Sequence, residues 1–454
     1  MTKITRKRFL GLSAAAMAAS LTGLPALGRA FDGLTGSGGL TGKRFLTFNA
    51  IIRVQQIEIT RNKYLGRDER KYHTPERVRR FRELIAEGFA GAKITWAFSW
   101  LALFDETEEY REIRKLIVEY IHRYGDEMTF IPGAYFANAY NTRGQVNLDL
   151  TDALKRITDI AGGGYRPKSI AAGFLAAENQ RHLAENEDIH VCQGNIWSQY
   201  AVDNQDGDGS VSYPFYPSKE HFCKPAQNKS DFIDCVNLDG WTMDFVCSRR
   251  AGGGSDKPYN SRMGVGPIET LEKYGLEVGM KEILHAVAAH YDSGFRLNKF
   301  AWVTNTWELS LRMDGLREYF SLIKERWPDA ICLTQGEFGL LWRSHFKENS
   351  FDYRFVQRGS GIGGSEAENE IRWFMNKDFR LALLKNWKLN TEEKVIDFTR
   401  YDLKAEEPQG QVRNWTLYGI INQKQTRPQD KPRPLAELSE EDKHIIHKRL
   451  PELI

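Results

Sequence analysis

Short apolar runs alternate with longer stretches of helical spacing over residues 43–349. The runs Phe45–Val54, Lys93–Ser99, Met128–Ile131, Ile170–Leu175, Ile189–Val191, Phe300–Thr304 and Ala330–Thr334 are short and nearly continuous, which predicts buried strands. Between them, Thr74–Glu87 opens with a Thr cap and Pro75 and then places Val78, Phe81, Leu84 and Ile85 on one helical face. Glu108–Tyr124, Leu150–Ala161, Gly275–His290 and Gly315–Trp327 also read as helices. Such alternation predicts an α/β fold with a parallel sheet, and this many units predicts a (β/α) barrel of seven or eight. Asp203–Arg262, rich in Gly, Pro, Asp and Tyr, breaks the rhythm and reads as a long loop insertion over the barrel mouth.

The pattern changes near Ser350. Gly359–Gly364 (GSGIGG) reads as a linker; its G-x-G-x-x-G spacing lacks the strand–helix context of a dinucleotide site. Ile371–Met375, Phe379–Leu384, Lys394–Thr399 and Trp415–Ile421 then predict short strands, and a capped helix begins near Ser439. Residues 350–454 are expected to form a small β-rich, sandwich-like C-terminal domain. At the other end, Met1–Ala30 has a basic start, an Ala-rich apolar stretch and small residues at Gly28-Arg29-Ala30, the pattern of an export signal. Thr5-Arg6-Lys7-Arg8-Phe9-Leu10 resembles a twin-arginine signal with Lys7 in place of one arginine. Residues 31–42 are Gly-rich and read as a flexible lead; GSGGLTGKR within and beyond them misses the phosphate-loop spacing.

Composition narrows the partners. Losing the five basic residues of the signal from 63 leaves 58 against 60 acidic, a net of −2 in the mature chain. That balance gives no electrostatic case for nucleic acid or an anionic membrane, and no segment after the signal is apolar enough to span a bilayer. The expected location is periplasmic or extracellular. Five cysteines form no C-x-x-C pair; export permits a bridge among Cys223, Cys235 and Cys247, whereas Cys192 and Cys332 sit in strand-like apolar runs.

Acids and aromatics just past the carboxyl ends of barrel strands stand where such folds bind substrate. Glu178 follows the run Ile170–Ala177; Glu308 and Glu337 follow two others. Paired carboxylates can cleave a glycosidic bond, one giving a proton while the other acts as nucleophile or base. Glu178 and Glu337 are the expected catalytic pair, with Asp105, Asp239 and Asp244 as candidate supporting acids. Trp197, Trp241 and Trp307 are candidate sugar platforms, joined by Gln199, Asp244, Asn305 and Glu308 as substrate contacts. Asn204, Asp206 and Asp208, followed by Gly209-Ser210, have the spacing of the front half of a Ca²⁺ loop, or of a turn braced by Asp side chains. No cofactor is required by the expected chemistry.

Two stretches carry resemblances. LAAENQRHL, with Glu178, resembles the nucleophile motif of glycoside hydrolase family 57. TQGEFGLLW resembles that family's later Asp-x-Glu-x-Phe-Gly-x-x-Trp motif, matching in kind at Glu337, Gly339 and Trp342 with a one-residue slip. The family's early His-Gln-Pro motif is absent. KITWAFSWLAL resembles the second strand of polysaccharide deacetylases, but their Asp-Asp pair falls on Asn49-Ala50 and their histidines near Ile131 and Tyr135. Zinc needs nitrogen, sulfur or carboxylate donors, which those positions lack. The chain as a whole resembles a family of secreted bacterial proteins grouped with the glycoside hydrolase/deacetylase barrels and carrying a small C-terminal β domain. The paired carboxylates and the family 57 resemblance imply a carbohydrate-active enzyme on an oligo- or polysaccharide, a glycoside hydrolase or transglycosidase. The alternatives are a non-catalytic carbohydrate-binding protein on the same barrel, and a deacetylase-like hydrolase with a site near Asn49 and Glu127.

Overall fold

The structure, a computed structural model, describes residues 39–173, 175–194, 209–239, 242, 244–248, 267–310, 312–412, 415, 417, 421 and 432–454. The chain divides into two units, Met1–Thr41 and Gly42–Ile454, and the elements that follow belong to the second.

Strand β1 (Arg44–Ile52) is the axis of the α/β part. Its residues are buried on both faces beyond Arg44, as its run of aromatic and branched side chains requires. Along one edge it pairs in parallel with β9 (Ala301–Glu308), from Arg44↔Ala301 to Ile51↔Glu308. Along the other edge two strands stand end to end. β10 (Ala330–Leu333) pairs with Arg44–Thr47, and β4 (Thr95–Phe98) pairs with Asn49–Ile52. β4 then pairs in parallel with β5 (Glu127–Phe130). A second parallel sheet contains β6 (Ile170–Ala171), β7 (Val191–Gln193) and β8 (Val236–Asn237). The two sheets touch where Thr129 donates to the Ser169 carbonyl, and again where Thr242 N donates to Thr304 O at 2.8 Å. Among the described residues the ladder is not continuous across these seams, so the observed fold is two parallel sheets with helices. A hairpin, β2 (Gln55–Thr60) and β3 (Lys63–Asp68), hangs from the carboxyl end of β1.

Helices α1 (Pro75–Gly88), α2 (Glu108–Tyr124), α3 (Arg143–Ala161), α4 (Ala177–Asn186), α5 (Pro267–Ala288) and α6 (Leu316–Arg326) connect the strands. Thr74 caps α1 as its sequence predicts, its hydroxyl accepting from Arg77 N at 3.2 Å. α5 is broken at Gly275, where φ is 78°. Helix α7 (Gln335–His345) behaves differently from the others. Its first turn is wholly buried, and Phe338 packs on Phe45 at 5.5 Å and stacks on Trp302 at 4.9 Å. α7 therefore covers the inner side of the sheets near the amino ends of their strands. A Cβ built on Gly339 would overlap the Val191 side chain, so this approach requires glycine.

The C-terminal part is one antiparallel sheet, β11 (Asp352–Arg358), β12 (Asn369–Asn376), β13 (Phe379–Asn386), β14 (Lys394–Arg400) and β15 (Arg433–Pro434), in sequential order. Helix α8 (Glu440–Arg449) lies against one face, burying Ile446 and Leu450 with Phe379, Leu381 and Phe398. The described residues thus form a sheet backed by a helix, which corrects the expected sandwich. Gly359–Gly364 joins β11 to β12 within this sheet and is a hairpin loop, not a linker between domains. Trp415–Ile421 is not a strand where described: Leu417 and Ile421 are helical. β11 went unforeseen because it is polar at Asp352, Arg354, Gln357 and Arg358.

A buried carboxyl pair fastens that loop to α5. Asp244 accepts from Gln357 Nε2 at 2.8 Å, Ser365 Oγ at 2.9 Å and Cys247 N at 2.7 Å. Glu282 of α5 accepts from the Ser360 hydroxyl and faces Asp244. Burial, reinforced by the Asp244 charge, pushes the Glu282 carboxyl from 4.5 up to about 9.

Two outcomes are expected. Gly339→Ala should destabilise the fold by about 1–3 kcal/mol through overpacking, read as a lower denaturation midpoint. Because Glu282 binds its proton more tightly folded than unfolded, its contribution is complete below pH 4.5 and is lost as pH rises through about 9. Glu282→Gln should therefore be more stable than the parent between those values and flatten that part of the melting profile. An unchanged profile would show that no proton is held there.

Candidate functional site

The carboxyl end of β1 delivers Arg53 into a buried charged cluster. Its guanidinium meets Glu69 Oε2 at 2.6 Å through Nε and Glu308 Oε2 at 2.8 Å through Nη2. Glu308 is the last residue of β9, so these two neighbouring strands meet through one ion pair at their ends. Arg67 also holds Glu69, at 2.9 Å, and the His73 imidazole stands 3.8 Å away. Burial works against the Arg53 charge, but Glu308 and Glu69 outweigh it and hold the group above its ordinary value. Burial likewise raises the Glu69 carboxyl, yet His73, Arg53 and Arg67 together pull it far below the usual carboxylate range. Burial pushes the His73 imidazole down, with Glu69 opposing. Glu69 is thus a fixed counter-charge. Glu308 differs: 27 % of its side chain reaches solvent.

Deeper between the sheets lie three amides. Asn49 Nδ2 donates to Gln335 Oε1 at 2.8 Å and to Gln193 Oε1 at 3.2 Å. Gln335 Nε2 donates to Ile170 O at 3.1 Å. Asn49 Oδ1 and Gln193 Nε2 are buried with no hydrogen-bond partner among the described residues. Next along β1, Ile51 joins Ala97, Ile131, Tyr135 and Ala171 in a separate apolar cluster. The backbone here is strained, since Ala134 and Tyr135 follow β5 with φ of 46° and 88°.

The structure separates the expected catalytic pair. Glu178 is exposed in the first turn of α4, just past β6. It borders a cavity of about 370 Å³ with Arg143, Arg181, Lys219, Glu220 and Glu406. Glu407 closes this cavity and caps α4, both of its oxygens lying 3.1 Å from Ala177 N. Glu337 is buried in the first turn of α7 in a reciprocal capping box, with Glu337 N–Thr334 Oγ1 and Thr334 N–Glu337 Oε2 both 3.2 Å. Its other oxygen meets Lys93 at 2.7 Å and Lys168 at 3.7 Å. Lys93 and Lys168 precede β4 and β6, whereas Glu178 follows β6. In parallel sheets those are opposite ends, so the two glutamates do not share a pocket, and Glu337 is a structural cap.

Three further expectations are corrected. Trp307 is fully buried, packs on Phe48 at 6.1 Å and donates to Arg312 O at 2.8 Å, so it is no sugar platform. Asn305 accepts from the Tyr319 hydroxyl of α6. Both point to the helix layer, because alternate β9 residues face opposite ways and Thr304 and Thr306 take the inner side. Asp244 is enclosed by the carboxyl pair described above. Trp197, Gln199 and Trp241 lie outside the described residues, as do Asn204, Asp206, Asp208 and the export signal. Arg53, Glu69 and Gln335 were missed. The signal for Arg53 was legible: a lone arginine closing an apolar strand.

The deacetylase alternative needed donors near Asn49 and Glu127. Asn49 is surrounded by amides, and Glu127 is committed to Lys168 N at 2.9 Å, Ser169 Oγ at 3.0 Å and Gly336 N at 3.0 Å. That donor set does not fit zinc. Among the described residues no three His, Cys, Asp or Glu side chains gather as a metal site, no helix is long and apolar enough to cross a membrane, and the five buried cysteines form no disulfide.

The family model of DUF3863, a domain of unknown function with a solved structure, matches residues 38–375, and that of DUF3864 matches residues 380–453. No curated protein matches. A candidate glycoside hydrolase/deacetylase from Parabacteroides distasonis, known as a crystal structure, is 49% identical. That likeness covers 91% of this chain and 99% of the relative, with a TM-score of 0.86. A candidate polysaccharide deacetylase from Mycobacterium smegmatis is 13% identical over 67% of this chain and 92% of its own, with a TM-score of 0.43. A GH57-type branching enzyme from Pyrococcus horikoshii is 9% identical over 64% and 69%, with a TM-score of 0.36; these two remote likenesses carry no argument. With one family model spanning most of its length and a half-identical relative of the same extent, the chain belongs to the DUF3863 family.

Proposed function

We propose that the protein is an exported carbohydrate-active enzyme that cleaves or transfers glycosidic bonds at the carboxyl-end face of its parallel strands. The class is supported by the description of the half-identical relative as a glycoside hydrolase/deacetylase. The observation that carries the reading within this chain is Glu308, a strand-end carboxylate fixed by buried Arg53 yet open to solvent. Glu308 takes the place of Glu337 as partner to Glu178, since both follow strands at the same end. In the two-carboxylate scheme one acid protonates the leaving oxygen and the other attacks or activates water. The Arg53 ion pair fixes Glu308 in place at the strand end, which suits it to the nucleophile or base role, with Glu178 as the acid.

A second reading is favoured by the amides. Asn49, Gln193 and Gln335 converge while the acids are dispersed, the pattern expected of a protein that binds sugar without cleaving it. Hydrolysis and transfer assays on a panel of oligosaccharides, beside glycan-array binding, separate the two. Glu308→Gln and Glu178→Gln should each lower kcat about 10²-fold or more with array binding retained. Glu337→Gln should lose about 1 kcal/mol of stability with kcat nearly unchanged. Full turnover in Glu308→Gln would end the catalytic assignment, and binding without turnover in the parent would select the second reading.

A further inference from the structure

A second cavity, of about 600 Å³, lies beyond the end of α7 and is built from four separate parts of the chain. The loop Ala226–Phe232 forms one wall, and Lys347–Asp352 forms another. Lys377, in the turn between β12 and β13, and Arg449, at the end of α8, complete it. Its walls are held firmly. Asn349 accepts from Tyr216 N at 2.8 Å and donates to Tyr216 O at 2.8 Å and Ala226 O at 3.0 Å. Gln227 donates to the Lys377 carbonyl at 2.8 Å. Asp231 ties the loop back on itself through Ser218 Oγ at 2.6 Å and Gln227 N at 3.1 Å. Phe232, its ring tilted against Tyr216 at 4.5 Å, is a partly exposed aromatic residue.

The charge around this cavity is unbalanced. Arg449 is matched by Asp378 at 2.5 Å, and Asp352 by Arg354 at 2.9 Å. Lys229, Lys347 and Lys377 form no ion pair among the described residues, and one uncommitted carboxylate, Glu348, stands against them. Lys347 Nζ donates to the Arg343 carbonyl at 3.1 Å, and three cations without ion pairs on three chain segments leave an excess of positive charge around one concavity, which an anion relieves. The lining also fixes the shape of that anion. Volumes of roughly 300–1,000 Å³ suit ligands of several rings' worth of atoms, larger than a simple inorganic ion. An aromatic ring beside cations suits a sugar face carrying acidic substituents.

We propose that this cavity binds an acidic oligosaccharide, through its carboxylate or sulfate groups to Lys229, Lys347 and Lys377 and through a ring face to Phe232. It shares no lining residue with the cavity beside Glu178, and it rests on the carbohydrate reading for the class of ligand but not on any catalytic residue. Its role is to anchor an acidic polysaccharide while the strand-end acids work on another part of the chain.

Calorimetric titration of the full mature protein tests it with three probes: trigalacturonate, a sulfated heparin disaccharide and neutral maltotriose. At least one acidic probe should bind, with affinity falling as salt is raised, and maltotriose should not bind at this cavity. The probe that binds more tightly identifies carboxylate or sulfate as the anionic group. Lys229→Ala/Lys347→Ala/Lys377→Ala should weaken acidic binding at least tenfold while its melting temperature stays near the parent's. Phe232→Ala, a separate change, should weaken it with the salt dependence kept. Unaltered acidic binding in the triple variant, or maltotriose binding that the triple variant abolishes, overturns the proposal. Turnover of a neutral oligosaccharide should be unaffected by the triple variant, so loss of this site and loss of the catalytic reading give different results.

Discussion

The buried start of α7 is the constraint on which the arrangement of both sheets depends. A helix begins with backbone N–H groups that have no partner within it, and burying them unpaired is costly. Here each finds one. Gln335 N donates to Thr95 Oγ1 at 2.8 Å, Gly336 N to Glu127 Oε2 at 3.0 Å and Glu337 N to Thr334 Oγ1 at 3.2 Å. Those acceptors sit on β4, on β5 and on the helix cap, so satisfying the helix end also fixes where two strands begin relative to β10. The same turn leaves Gln335 to accept from Asn49, which also donates to Gln193, so the helix is linked to β1 directly and to β7 through Asn49. Glycines at 336 and 339 permit the approach, because a side chain at either would strike Glu127 and Lys168 or Val191. Glu337 is consumed by this task, and its lysine partners complete the neutralisation of a buried carboxylate.

What the sequence made legible follows from which signals are local. Helices α1, α2 and α6 and the Thr74 cap depend on neighbours a turn away and appear near the expected places, whereas α3 and α5 begin seven and eight residues earlier than expected. The role of Glu337 was equally local: Thr334-Gln335-Gly336-Glu337 is the S/T-x-x-E pattern of a capping box. It was read as chemistry because an acid between glycines at a strand end looks functional. Asn305 and Trp307 failed for another reason. β9 is buried on both sides, so no alternation of polar and apolar residues marks which face is inward. The pairing of Arg53 with Glu308, 255 positions apart, leaves no trace in either local stretch.

The two family segments meet between residues 375 and 380, inside the turn that joins β12 to β13. Those strands pair from Asn369↔Asn386 to Met375↔Arg380, so the boundary between segments cuts through a continuous ladder. A fully buried ion pair lies just beyond it. Arg380 meets Asp397 at 3.1 Å through Nε and also donates to Ser210 O at 2.8 Å, while Tyr401 donates to Gly209 O at 2.8 Å. The C-terminal sheet therefore holds the described end of the long loop insertion with two hydrogen bonds to its backbone.

That attachment couples the C-terminal sheet to the parallel-sheet part of the molecule. The loop insertion leaves β7 after Gln193 and returns to β8 at Val236. Its later portion is anchored from behind by Arg380, by Tyr353, whose hydroxyl donates to Pro214 O at 2.9 Å, and by Asn349. Breaking the Arg380–Asp397 pair would leave an unpaired charge in the core, at a cost of about 3–5 kcal/mol. The C-terminal sheet is thus part of the framework of the described loop, since the residues that position the loop and the residues that stabilise the sheet are the same side chains.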